Sequence, residues 1–77
     1  MILKINGRIM YTDRVIAVEQ TKPGEYRVET RCHGTYTVFG GRKAGGSPRD
    51  WFIEFPGWTK PLLRTSLRDA IKTIENM

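Results

Sequence analysis

Four turn signals punctuate this chain: Asn6-Gly7, Pro23-Gly24, His33-Gly34 and Pro56-Gly57. Most of the stretches between them are rich in Val, Ile, Thr and aromatic residues, the composition of strands. Turns so closely spaced constrain the chain to short antiparallel strands joined by tight connections. Asn-Gly is the strongest of these signals, because a two-residue hairpin loop needs positive φ at both positions. It predicts a hairpin of Met1–Ile5 with Arg8–Tyr11, followed by a bend or bulge at Thr12-Asp13. Lys22-Pro23-Gly24-Glu25 reads as a type II turn, with Pro presetting φ at the second position and Gly accepting positive φ at the third.

The runs between turns differ in pattern. Arg14–Gln20 holds Val15, Ile16, Ala17 and Val18 in succession. An unbroken apolar run predicts a central strand covered on both faces. Tyr26–Cys32 alternates, with Tyr26, Val28, Thr30 and Cys32 on one face and Arg27, Glu29 and Arg31 on the other, so it predicts a half-exposed strand. Thr35–Phe39 is another strand, and Trp51–Phe55 is the last, with Trp51, Ile53 and Phe55 on one face.

The period changes in the tail. Leu67, Ala70, Ile71 and Ile74 fall at i, i+3, i+4 and i+7, the apolar stripe of an amphipathic helix. Ser66 suits the N-cap and Asp69 the third helical position, so the helix runs from Leu67 to about Asn76. The predicted fold is α+β: a small antiparallel meander sheet of about four to five strands with one C-terminal helix packed on one face. At 77 residues the chain is a single domain, 1–77, with a thin core to which eight aromatic residues contribute. Strands followed by a C-terminal helix resemble the order in phage integrase arm-binding domains. The likeness to double-stranded RNA-binding domains is weaker, since those begin with a helix and open their last helix with lysines, where this chain has Ser66-Leu67-Arg68. These are likenesses of architecture and imply no function.

One segment stands apart. Gly40–Arg49 reads GGRKAGGSPR, with four glycines, one proline, three basic residues and no acid. It predicts a flexible, basic loop over 40–50 at a hairpin tip, reaching solvent. Gly40 and Gly45 have the glycine spacing of a phosphate loop, but Gly46-Ser47 stands where Lys-Ser or Lys-Thr is required, and a strand follows instead of a helix. Nucleotide hydrolysis is therefore not expected.

Other catalytic signals are equally thin. The single histidine, His33, adjoins the single cysteine, Cys32. Neighbours on a strand point to opposite faces, which disfavours a dyad, and the pair lacks the further ligands a metal needs. Cys32 is expected as a small buried hydrophobe and His33 as a turn residue. The acids show no recurring pairing; Glu19, Glu29 and Glu54 are expected in cross-strand charge pairs beside Arg14, Arg27 and Arg31. No catalytic residue, metal or cofactor is expected. With one cysteine, no apolar stretch of membrane length and no basic leader followed by an apolar run, a soluble cytoplasmic protein is expected, with no membrane partner.

Net charge is +5, and Lys22–Arg49 alone carries six basic residues against two acidic ones. Such a balance favours an anionic partner, although a charge of this size also serves solubility. The leading expectation is a non-enzymatic nucleic-acid-binding or regulatory domain. Arg42, Lys43 and Arg49 would reach phosphates, helped by Arg27 and Arg31 beside Tyr36 and Phe39, and by Arg64, Arg68 and Lys72, which form one ridge if the helix extends back to Arg64. The alternative is a protein-binding inhibitor or adaptor, of the kind small phage and plasmid genomes carry, that docks an acidic surface of a larger nucleic-acid-handling complex, with Trp58 or Phe52 as anchors. A homodimer through an exposed edge strand is a third expectation.

Overall fold

The computed structural model describes residues 1–40 and 49–77. In chain order the elements are β1 (Ile2–Ile5), β2 (Arg8–Tyr11), β3 (Val15–Lys22), β4 (Glu25–Thr30), β5 (Thr35–Gly40), β6 (Trp51–Glu54), β7 (Leu62–Arg64) and α1 (Leu67–Glu75). β1 and β2 form a separate antiparallel hairpin, and β3 to β7 form a five-stranded antiparallel meander in sequence order. The predicted α+β class holds, with the C-terminal helix on one face of the sheet.

Turn chemistry fixes the connections. Asn6 and Gly7 both take positive φ, 52° and 77°, as a two-residue hairpin demands, and Gly24 takes 77° in the Pro-Gly turn. The hairpin places Leu3 opposite Met10 on its inner side, and Ile2 opposite Tyr11 and Lys4 opposite Ile9 on its outer side.

The Val15–Val18 run is not a central strand. β3 lies at the sheet edge, and a register shift between Val15 and Ala17 inserts Ile16 as an extra residue, 47 % exposed. A bulge resets the alternation by one, so Val15 and Val18 both reach the covered face although three residues apart. An apolar run in the sequence is thus an interrupted alternation. At the opposite edge, β7 escaped the sequence reading: it is three residues long and follows Pro61, as suits an edge strand.

One face of the sheet is the core. Its cross-strand rows are Val18–Val28–Tyr36 and Tyr26–Val38–Ile53–Leu62. Leu67, Ala70, Ile71 and Ile74 of α1 pack there, joined by Ile5 and Met10 of the hairpin. Val15, Val28, Val38, Ile53, Ile71 and Ile74 are fully buried; each such side chain contributes about 1.5–3 kcal/mol. Trp51 lies over Gly40, where a Cβ would stand 3.6 Å from its ring. Tyr36, Phe55 and Trp58 extend the core as an aromatic cluster with centroids 4.5–6.0 Å apart.

The helix starts as predicted: Ser66 Oγ accepts from the Asp69 N–H at 3.0 Å. Its far end is clipped to the sheet. The Glu75 carboxylate accepts the N–H groups of Asp13 (3.0 Å), Arg14 (2.9 and 3.1 Å) and Val15 (2.8 Å). Three successive backbone donors make a concave anion seat, filled here by the chain's own acid. Partial burial pushes the Glu75 carboxyl up, but the donors of Val15, Arg14 and Asp13 and the Arg14 charge outweigh it and hold the pKa below the ordinary 4.5.

Candidate functional site

The two faces of the sheet divide the chain's charge. On the face away from α1, β-pairing aligns the row Glu19–Arg27–Thr37–Glu54 and, beside it, the row Glu25–Phe39–Phe52–Leu63. Arg27 is held by Glu19 at 2.8 Å and by Glu29 at 3.7 Å, and Lys22 lies 3.8 Å from Glu25. Four glutamates thus meet two bases. Phe39 and Phe52 stack on this face with centroids 5.5 Å apart. Tyr36, expected beside Arg27 in a basic aromatic platform, points into the core on the other side. The predicted cross-strand pairing of Arg27 is present; a platform of Arg27 with Tyr36 is not.

The opposite surface, built by α1 and the hairpin, is different. The outer side of the hairpin exposes Ile2 (68 %), Ile9 (56 %) and Tyr11 (75 %) beside Lys4. The helix periodicity that buries Leu67, Ala70, Ile71 and Ile74 turns Arg68, Lys72 and Glu75 toward β2. Between them runs an open groove of about 280 Å³ lined by Ile9, Tyr11, Arg68, Lys72 and Glu75, among others. Glu75 accepts the three backbone donors of Asp13 to Val15 and keeps its negative charge, so Arg68, Lys72 and Glu75 leave the groove with a net charge of +1. Arg68 Nε is shut off from solvent and has no hydrogen-bond acceptor, and neither Arg68 nor Lys72 forms an ion pair among the described residues.

The remaining predicted contact residues scatter. Arg42 and Lys43 lie outside the described residues, as does most of the basic loop; Arg49 is exposed just before β6. Arg31 pairs with Asp13 at 3.3 Å. Arg64 does not belong to the helix ridge. The helix begins at Leu67, so Arg64 sits in β7, where its Nε donates to Thr73 Oγ1 at 2.7 Å on the flank of α1 away from Arg68 and Lys72. The ridge is therefore Arg68 and Lys72 alone.

Cys32 is exposed, against the expectation that it is buried. β4 ends at Thr30, so strand alternation no longer applies, and Cys32 and His33 line one shallow cleft with Asp13, Arg14 and Arg31. Thr30 Oγ1 shapes that turn, donating to the Gly34 carbonyl at 2.7 Å and accepting the His33 N–H at 3.0 Å. Among the described residues no group of three or more His, Cys, Asp or Glu is placed to hold a metal, and no helix is long and apolar enough to cross a membrane.

The exposed hairpin face escaped the sequence reading. Its signal was the outward register that Asn6-Gly7 imposes on Ile2, Ile9 and Tyr11, which is visible only once Leu3 and Met10 are known to face the core.

Comparison with known proteins returns no match: no family model, no curated protein and no solved structure is significantly similar to the chain.

Proposed function

We propose that this chain is a small non-enzymatic interaction domain that docks an acidic protein surface through the face formed by α1 and the β1–β2 hairpin. One observation carries the reading: Ile2, Ile9 and Tyr11 stand exposed on one side of the hairpin, beside Arg68 and Lys72, which form no ion pair among the described residues. Contiguous exposed apolar side chains rimmed by charge are the usual composition of a protein contact, with Tyr and Arg as its strongest anchors. Aliphatic groups gain nothing against a phosphate backbone, which argues for protein over nucleic acid at this face. The anchors are then Tyr11 and Ile9, in place of Phe52, whose ring is stacked on Phe39, and Trp58, which leans on Tyr36 and Phe55.

The test is a pull-down from nuclease-treated lysate with the wild-type chain and with an Ile9→Ser/Tyr11→Ser double variant. A partner retained by the first and lost by the second supports docking through the hairpin. Recovery that disappears with nuclease treatment overturns it.

Nucleic-acid binding is the second reading, favoured by a separate observation: Lys4, Arg8, Lys60, Arg68 and Lys72 all lack ion-pair partners among the described residues. With about three to five phosphate contacts on duplex DNA, log K falls against log salt with a slope of about −3 to −4.5. Fluorescence anisotropy at two salt concentrations measures it, and an absence of binding to duplex DNA, single-stranded DNA and RNA at low salt sinks this reading.

A further inference from the structure

We infer that the groove between β2 and α1 is a seat for a carboxylate lying next to an aromatic or aliphatic side chain, so that the occupant is an acidic protein segment carrying both. The inference rests on the docking reading and names what that face recognises. Among the described residues Arg68 forms no ion pair, and its Nε is shut off from solvent without an acceptor, so the guanidinium charge is uncompensated and its outer nitrogens are the ones that an occupant of the groove can reach. The guanidinium presents its donors in a fixed planar fork that matches a carboxylate.

Lys72, one turn on, adds a second positive charge at the same wall. Glu75, the acid lining the groove, is directed to the N–H groups of Asp13, Arg14 and Val15 and forms no ion pair with Arg68 among the described residues, so the lining keeps a net charge of +1. Ile9 and Tyr11 form the facing wall, half to three-quarters exposed, and offer contact to a ring or a branched aliphatic group. A carboxylate alone would leave that wall uncovered, and an apolar segment alone would leave Arg68 unpaired. The two needs together select an acidic, apolar-interspersed segment over a uniform polyanion.

The probes are poly-glutamate, a random Glu–Tyr copolymer, duplex DNA and phosphatidylserine vesicles, each titrated into isotope-labelled protein and followed by NMR. The expected result is binding of the copolymer about tenfold tighter than poly-glutamate. Shifts should concentrate at Ile9, Tyr11 and Lys72, with the Arg68 Nε–H signal moving most. Arg68→Met keeps the length of the stem and removes the unpaired donor. It should weaken copolymer binding about tenfold while leaving the melting temperature unchanged or raised. Arg68→Lys should restore only part of the affinity, since an ammonium lacks the fork.

Equal binding of poly-glutamate and copolymer, or stronger binding of DNA or vesicles, overturns the inference. Copolymer binding that survives Arg68→Met but is lost in Ile9→Ser/Tyr11→Ser also overturns the carboxylate seat, and leaves the docking reading standing. If Arg68→Met unfolds, the wild-type Arg68 Nε–H signal decides alone: no movement on saturation with copolymer counts against the seat. If neither polymer moves hairpin or helix signals, this inference fails, and the pull-down judges the docking reading separately.

Discussion

The two sides of the five-stranded sheet spend their charge in opposite ways. On the side away from the helix, Arg27 stands between Glu19 and Glu29, so an exposed charge is balanced within the fold. On the helix side, Arg68 and Lys72 form no ion pair among the described residues, and with Glu75 they leave the groove at a net charge of +1. Apolar groups divide likewise: Phe39 and Phe52 cover each other on the first side, whereas Ile9 and Tyr11 on the second stand open. The first side keeps an acidic excess while its bases are paired and its two rings stack; the second pairs neither its bases nor its open apolar groups. The contrast locates the candidate contact more narrowly than net charge did.

The largest expected effect tests which side holds the fold together. Ile71→Ala should cost about 2–5 kcal/mol in urea unfolding, because Ile71 is fully buried between sheet and helix. Phe52→Ala, on the open side, should cost about 1–2 kcal/mol, since it loses one stacked partner and partial burial. Equal losses would mean that the open side is as structural as the core, and the comparison would break.

Next in size is the clip at the end of α1. Glu75→Gln keeps the shape but weakens three hydrogen bonds from the Asp13–Val15 backbone, and should cost about 1–2 kcal/mol. Glu75 has a folded pKa below the ordinary 4.5, so its contribution is fully present above that value and is lost as pH falls through the folded pKa. Acid unfolding of the wild type should therefore include a step below about pH 4.5 that Glu75→Gln lacks. Identical acid profiles would show that the helix–sheet joint does not depend on this carboxylate.

These residues also mark how far the sequence could be read. Asn6-Gly7, Pro23-Gly24 and the Ser66 cap act through their own backbone, so turns and helix start were legible locally, and the meander followed only as the simplest packing of successive strands. The bulge at Ile16 was not, because it depends on pairing with β4 and on an edge position that only the assembled sheet defines. Glu75 carries no signal of its own in the sequence; its role appears only when residue 13 comes within reach, more than sixty positions away in sequence. Charge counting was blind to pairing for the same reason. It weighed Arg27, Arg31 and Arg68 together, whereas the fold pairs Arg27 with Glu19 and Glu29 and Arg31 with Asp13, and gives Arg68 no ion pair among the described residues.

The smallest expected effect is the sharpest test of balance on the open side. Arg27→Met removes one base from between two exposed glutamates, and exposed pairs are worth about 0–1 kcal/mol. The variant leaves Glu19, Glu25, Glu29 and Glu54 with Lys22 as the remaining base in reach, so like-charge repulsion replaces attraction. Added salt should then stabilise Arg27→Met relative to wild type, because screening weakens repulsion in the first and attraction in the second. Partner or copolymer binding through the helix and hairpin should be unchanged, since Arg27 lies across the sheet from the groove. A loss of binding in Arg27→Met as large as that in Arg68→Met would mean that the two sides are not separate surfaces, and would move the contact onto the sheet itself.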